Sequence, residues 1–398
     1  MASVYVHFPW CLAKCPYCDF VSYAAPRETI DHEGYADAVV RELTARIALF
    51  RSSIATTAGV GPEASQPGRV GSVFFGGGTP SLWQPADLGR VVAAVAAHGA
   101  LEEVTVECNP TSLDEAKARA LVDVGVTRLS IGTQSLAKDQ LQFLGRLHDP
   151  DGALASIDAA IRAKVPRVST DLIFGLPNQS PEDARAQAAT LADRGLGHLS
   201  CYQLTIEPGT RFGELAKRGR LPLADDGRVA DAFLAIDEEL SGRGLRHYEI
   251  SNYARPGEEA RHNLAYWRGA EYLGLGCGAY GAFGRVRYRN AIDPARYVEA
   301  TRVVRNDTIG EGDGLSISSE DLDGETLLRE RIMLGLRIAE GIDIDANAAE
   351  LGVEAWPEDR RRALERLEAS GRVEREGSRL VIPPRAWLFA DDTAARLF

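Results

Sequence analysis

Six short β-rich runs alternate with six amphipathic stretches through the first 243 residues, and few architectures accommodate that pattern. The predicted strands are SVYVHF (3–8), SVFFGG (72–77), EEVTVEC (102–108), TRLSIG (127–132), PRVSTDLIFG (166–175) and GHLSCYQL (197–204). Helical periodicity occupies 34–50, 85–98, 113–124, 151–163, 181–194 and 225–243. Strand and helix in strict alternation imply a parallel α/β sheet with right-handed crossovers, and the apolar strands imply burial on both faces. In parallel α/β barrels the chemistry gathers at the C-terminal ends of the strands. Gly76 to Thr79, Glu107, Gln134 and Asp171 all fall at or just beyond such ends.

Composition excludes several classes. The N-terminus MASVYVHFPWC has neither a basic n-region nor an apolar h-region, and no apolar run is long enough to span a bilayer. The chain therefore reads as cytoplasmic, with its six cysteines reduced. A net charge of -12 argues against nucleic-acid binding, which needs a cationic face. Residues 52–71, small, polar and Gly/Pro-rich, read as a surface loop, and 306–324 as an interdomain connection. Three helical segments and the hairpin sequence GRVEREGSRLVIPP (371–384) follow, predicting a winged-helix-like domain over 318–398. Its 343–376 stretch carries ten Asp/Glu against six Arg, which disfavours a DNA-binding role. The rest divides into a barrel over 1–235 and a capping segment over 236–317.

Three of the six cysteines crowd into YVHFPWCLAKCPYCDF (5–20) as CxxxCxxC. Three thiolates on one tight loop suit three irons of a cubane cluster, leaving the fourth iron for a small molecule. A structural zinc site with His7 or Cys108 as fourth ligand is the alternative, but zinc sites usually pair two such units and no second pair exists. FFGGGTPS (74–81) ends the second strand in three glycines, Gly76, Gly77 and Gly78, which let a ligand reach backbone.

CxxxCxxC with Tyr17 before its third cysteine, at the end of a first strand, resembles the radical S-adenosylmethionine (SAM) superfamily. The resemblance implies a partial (β/α)6 barrel and a [4Fe-4S] cluster on Cys11, Cys15 and Cys18. It also implies SAM chelated at the open iron and cleaved to a 5′-deoxyadenosyl radical when the cluster supplies an electron. The SAM-binding positions implied are Tyr5, Tyr17, Gly77, Gly78, Thr79, Glu107, Gln134, Arg146 and Asp171.

The match extends through ECNP, DLIFGLPNQ and YQLTIEPGT and resembles the oxygen-independent coproporphyrinogen III oxidase group, which divides into oxidases and HemW-type heme chaperones. Oxidases carry a fourth cysteine two residues after the third, where this chain has Phe20, and an N-terminal extension that this sequence lacks. RHNLAYW (261–267) matches the HNxxYW motif that the chaperone branch associates with heme, implying His262, Tyr266 and Trp267 as heme-binding residues. A neutral imidazole can ligate iron, and flat rings suit a macrocycle. The glycine-rich YLGLGCGAYGAFG (272–284) is expected to approach the ligand as a loop, with Tyr280 where relatives often have His and Cys277 as a buried thiol. The resemblance thus implies a heme chaperone serving acceptor hemoproteins, respiratory ones among them, and allows a homodimer. The rival is an anaerobic coproporphyrinogen III oxidase.

Overall fold

A computed structural model describes residues 2–57, 70–310 and 312–398. The alternation folds as expected. β1 (Ala2–Phe8), α1 (His32–Thr57), β2 (Val70–Gly77), α2 (Pro85–Ala96), β3 (Glu103–Cys108), α3 (Glu115–Asp123) and β4 (Arg128–Gln134) come first. α4 (Pro150–Arg162), β5 (Arg167–Phe174), α5 (Pro181–Ala192), β6 (His198–Gln203) and α6 (Asp226–Gly242) complete the series. Local signals fix the helix starts. Asp114, Asp149, Ser180 and Asp225 cap α3, α4, α5 and α6 with side-chain acceptors, and proline opens α2, α4 and α5. Of the stretch read as a surface loop, Ser52 to Thr57 extend α1, Val70 and Gly71 open β2, and 58–69 lie outside the described residues.

β1 to β6 pair in parallel and in sequence order. β7 (Arg246–Glu249) and β8 (Asn252–Ala254) then add antiparallel strands beside β6. α7 (Arg261–Trp267) returns the chain to the start of the sheet, where β9 (Tyr272–Gly276) pairs in parallel with the free side of β1. β10 (Tyr280–Phe283), β11 (Val286–Asn290) and β12 (Ser316–Asp321) continue outward, making one open sheet of twelve strands. Val4, Val6 and Phe8 of β1 are fully buried at its centre.

Two expectations are corrected here. Residues 272–284 are chiefly the strands β9 and β10 with a tight turn at 277–279, not a ligand loop, and none lines the cavity described below. Gly281 is required there, because a Cβ would sit 2.2 Å from the Tyr288 ring that packs over it. The presumed connection at 306–324 contains β12, an edge strand paired with β11. Beneath it Arg46 of α1, wholly buried, pairs with Glu42 at 2.7 Å and Asp313 at 2.5 Å and reaches Asn290.

Beyond the sheet lie α8 (Gly324–Gly335), α9 (Ile344–Leu351), α10 (Glu358–Ala369) and the hairpin of β13 (Glu374–Glu376) with β14 (Arg379–Val381). A 3-10 turn over Pro384–Phe389 and α11 (Ala390–Ala395) close the chain. This domain docks on the sheet: Ile250 N–H donates to Arg337 O at 2.9 Å, Ala339 N–H to Tyr248 O at 3.0 Å, and Trp387 packs on His247.

Candidate functional site

The strand ends converge on a cavity of about 790 Å³. Cys11, Cys15, Tyr17, Cys18, Gly77, Gly78, Thr79, Glu107, Gln134, Arg146 and Asp171 all line it. Tyr5 does not. Its ring lies against Phe74, and its hydroxyl donates to His7 Nδ1 at 2.9 Å. His7 Nε2 lies 2.7 Å from Val21 O, so the imidazole is committed to tying the cysteine loop down and does not ligate. Burial lowers its pKa to about 4 and keeps it neutral.

The cysteine loop and the glycine turn are pinned to one another. Gly78 N–H donates to Phe8 O at 2.7 Å and Thr79 N–H to Trp10 O at 2.8 Å. A Cβ on Gly78 would stand 2.6 Å from Trp10 O and 2.9 Å from Phe8 O. The sequence suggests that this glycine leaves space for a ligand; in the structure its missing Cβ lets two backbone segments touch.

All three thiols are free and partly accessible. Thr79 Oγ1 donates to Cys11 Sγ at 3.3 Å, and Arg146 Nη1 points at Cys15 Sγ from 3.6 Å while Nη2 holds Gly132 O at 2.9 Å. Burial raises the Cys11 pKa to about 11, and the Thr79 hydroxyl pulls against that rise. No described group of three or more His, Cys, Asp or Glu is arranged to hold a single metal ion. Three free thiols on one short loop, two of them contacted by hydrogen-bond donors, fit a polynuclear cluster better than a lone ion.

Glu107 and Asp171 supply the carboxyl wall. Glu107 Oε2 accepts the Gly77 N–H at 3.2 Å, and Asp171 Oδ1 accepts from Ser130 Oγ at 3.2 Å. Burial, with Asp171 nearby, raises the Glu107 pKa to about 8. Gln134 ends β4 with φ of 66°, after a register shift against β5 that turns it into the mouth. This arrangement suits a cationic amino group, which the two carboxyls can accept.

The HNxxYW residues lie elsewhere. α7 plugs the opposite, N-terminal end of the strands, and none of His262, Tyr266 and Trp267 lines the cavity. His262 is buried, its Nδ1 sits 3.0 Å from Ser72 Oγ, and Glu103 accepts its backbone N–H at 3.0 Å. Its ring is flanked by Phe74 and Tyr266, with centroids 5.2 and 5.5 Å away. Nε2 is enclosed without a partner, and burial lowers the imidazole pKa to about 4. Trp267 faces the carboxyl of Glu249, which burial pushes up to about 8, and Arg337 lies over its indole ring at 5.6 Å.

Sequence reasoning missed the outer wall: Phe20, Tyr202, Leu388 and Phe389, with Asp391 and Asp392. Phe20 stood out only as a missing cysteine, and the C-terminal residues arrive through long-range docking that no local pattern encodes.

Comparison with known proteins agrees with this geometry. The Radical SAM superfamily model matches residues 5–189 and the HemN C-terminal domain model residues 322–389. The coproporphyrinogen III oxidase HemN of Escherichia coli superposes with a TM-score of 0.79 at 19% identity, covering 100% of this chain and 89% of that one, which establishes the fold. The heme chaperone HemW of Mycobacterium tuberculosis is 34% identical over 394 residues, 98% of this chain and 93% of its own. The Escherichia coli heme chaperone HemW is 36% identical over 316 residues, 76% of this chain and 78% of its own. With cysteine loop, glycine turn and C-terminal domain all in place, the chain belongs to the HemW heme chaperone family of the radical SAM superfamily.

Proposed function

We propose that this protein is a cytoplasmic heme chaperone that carries a [4Fe-4S] cluster and SAM and passes heme to acceptor hemoproteins. One observation carries the reading: three free thiols share a cavity with a glycine turn and two half-buried carboxyls, in a chain similar over 98% of its length to a heme chaperone. Cys11, Cys15 and Cys18 would hold the cluster, which when bound supplies an electron and an open iron position. Thr79 and Arg146 would donate to two of the sulfurs and favour their thiolate forms. Glu107 and Asp171 would accept from the SAM ammonium, with the Gly77 N–H holding the Glu107 carboxyl in place. Phe20, two positions after Cys18, offers no ligand where an oxidase has a fourth cysteine.

Anaerobic reconstitution with iron and sulfide, followed by heme titration and transfer to an apo-hemoprotein, tests this. The native chain should take up iron and sulfide in equal amounts, bind heme saturably and release it to the acceptor. Cys15→Ala should lose the iron and sulfide. A native chain that converts coproporphyrinogen III into decarboxylated product, or a Cys15→Ala variant with full iron content, would sink the reading.

A further inference from the structure

The sheet face that lines the cavity stays polar below it, toward the N-terminal ends of the strands. Residues two apart on a strand share a face, and register sets Glu107 beside Ser130, Ser130 beside Ser169, Ser169 beside His198 and Asp171 beside Ser200. Arg128 opens β4 on this same face, two residues before Ser130, and is 2% exposed. A guanidinium taken out of water needs an anion to offset its charge. Among the described residues no carboxylate forms an ion pair with Arg128 within 4.0 Å. Glu103, at the start of β3, is already met by Arg167 at 2.7 Å and by the backbone N–H groups of Arg261 and His262, each at 3.0 Å.

Arg128 reaches a carboxyl indirectly. Its Nη2 donates to Ser169 Oγ at 2.9 Å, Ser169 and Ser130 lie Oγ to Oγ at 3.0 Å, and Ser130 Oγ donates to Asp171 Oδ1 at 3.2 Å. Each hydroxyl has one proton to give. Ser130 gives its own to Asp171, so Ser169 donates to Ser130, and every bond in the row points from the guanidinium to the carboxyl. Bonds aligned head to tail polarise one another, and a charged donor at one end strengthens the row. Nη2 also faces His198 Nδ1 at 3.5 Å, an imidazole that burial and Arg128 itself keep neutral. Burial raises the Asp171 pKa, and Ser200, Arg128 and Ser130 pull it down. Ser130 and Asp171 line the cavity; Arg128 and Ser169 do not.

We propose that Arg128 is a positioning residue for SAM: through Ser169 and Ser130 it holds the Asp171 carboxylate in place to accept the ammonium group, without touching the ligand. This rests on the reading above that Glu107 and Asp171 accept from SAM. The Gly77 N–H holds Glu107, and this row of hydroxyls holds Asp171. Two carboxylates facing one ammonium leave one negative charge in excess in a site partly out of water, and Arg128 offsets it. Set behind two hydroxyls, the guanidinium does so without repelling the ammonium at contact.

Anaerobic equilibrium dialysis of SAM against the reconstituted full chain tests this, with iron content as the check on the fold. Ser169→Ala removes one hydroxyl outside the cavity and breaks the row between Arg128 and Ser130. It should weaken SAM binding by roughly five- to tenfold. In an Asp171→Asn background the same change should cost less than about twofold, because the carboxylate it acts through is gone. Arg128→Gln should weaken SAM at least as much as Ser169→Ala, and Arg128→Lys, which keeps the cation, should recover part of that loss. A merely structural role would weaken SAM by the same factor in both Asp171 backgrounds, and that result overturns the proposal. So does a Ser169→Ala variant that binds SAM as the native chain does. If Arg128→Gln takes up no iron, the two Ser169 comparisons decide alone. A native chain that takes up iron and sulfide yet binds no SAM overturns the SAM reading as well.

Discussion

Glu107 shows how one buried carboxyl can set a pH response. Its pKa of about 8 lies above the ordinary carboxylate range, so it is protonated at neutral pH unless a cation lies beside it. A cationic amino group favours the ionised form, so SAM binding should release this proton and tighten as pH rises toward 8. For stability the sign reverses: between about pH 4.5 and 8 the folded chain keeps a proton that the unfolded chain gives up, so this group destabilises the fold as pH rises. SAM affinity measured between about pH 6.5 and 8.5 should increase in the native protein and stay flat and roughly tenfold weaker in Glu107→Gln. A flat native profile would remove Glu107 from the role. The carboxylate's position at a strand end was legible in the sequence. Its raised pKa was not, because that depends on burial by the assembled fold and on Asp171 two strands away.

Among elements, the βα turn after β2 illustrates why spacing was readable and register was not. The glycines announced a close approach, but only the fold shows that the Trp10 and Phe8 carbonyls occupy the space beside Gly78. Gly78→Ala should therefore push the cysteine loop away from the turn. Thermal denaturation should show a loss of about 1–3 kcal/mol, with reduced iron uptake on reconstitution. Unchanged melting and full iron content would mean that the contact is dispensable. The six strand–helix units were legible because buried parallel strands are continuously apolar. β12 was not, since SISSED is mostly polar and largely exposed on a sheet edge. β9 and β10 were hidden by glycines that a loop and a tightly packed strand use alike.

At the scale of the molecule, Arg337 joins three parts. It lies over Trp267 of α7, pairs with Asp391 at the cavity and accepts the Ile250 N–H on its carbonyl. Arg337→Ala should loosen the C-terminal domain, raising amide exchange in 384–398 while the parallel strands stay protected. Unaltered exchange there would show that Trp387 packing suffices for docking. The domain was legible as three helices and a hairpin, but its docking face was not, since contacts this distant in sequence leave no periodic trace. The strand order has a temporal side too. β1 leads into the cysteine loop, yet its partner β9 begins at Tyr272, some 270 residues later. At roughly 5–20 residues per second, translation delivers that partner on the order of 15–50 s after β1 emerges. Throughout that interval one side of β1 lacks its partner, so β1 becomes a central strand only late in synthesis, although the cysteine loop's own anchors at Val21, Gly78 and Thr79 are already made.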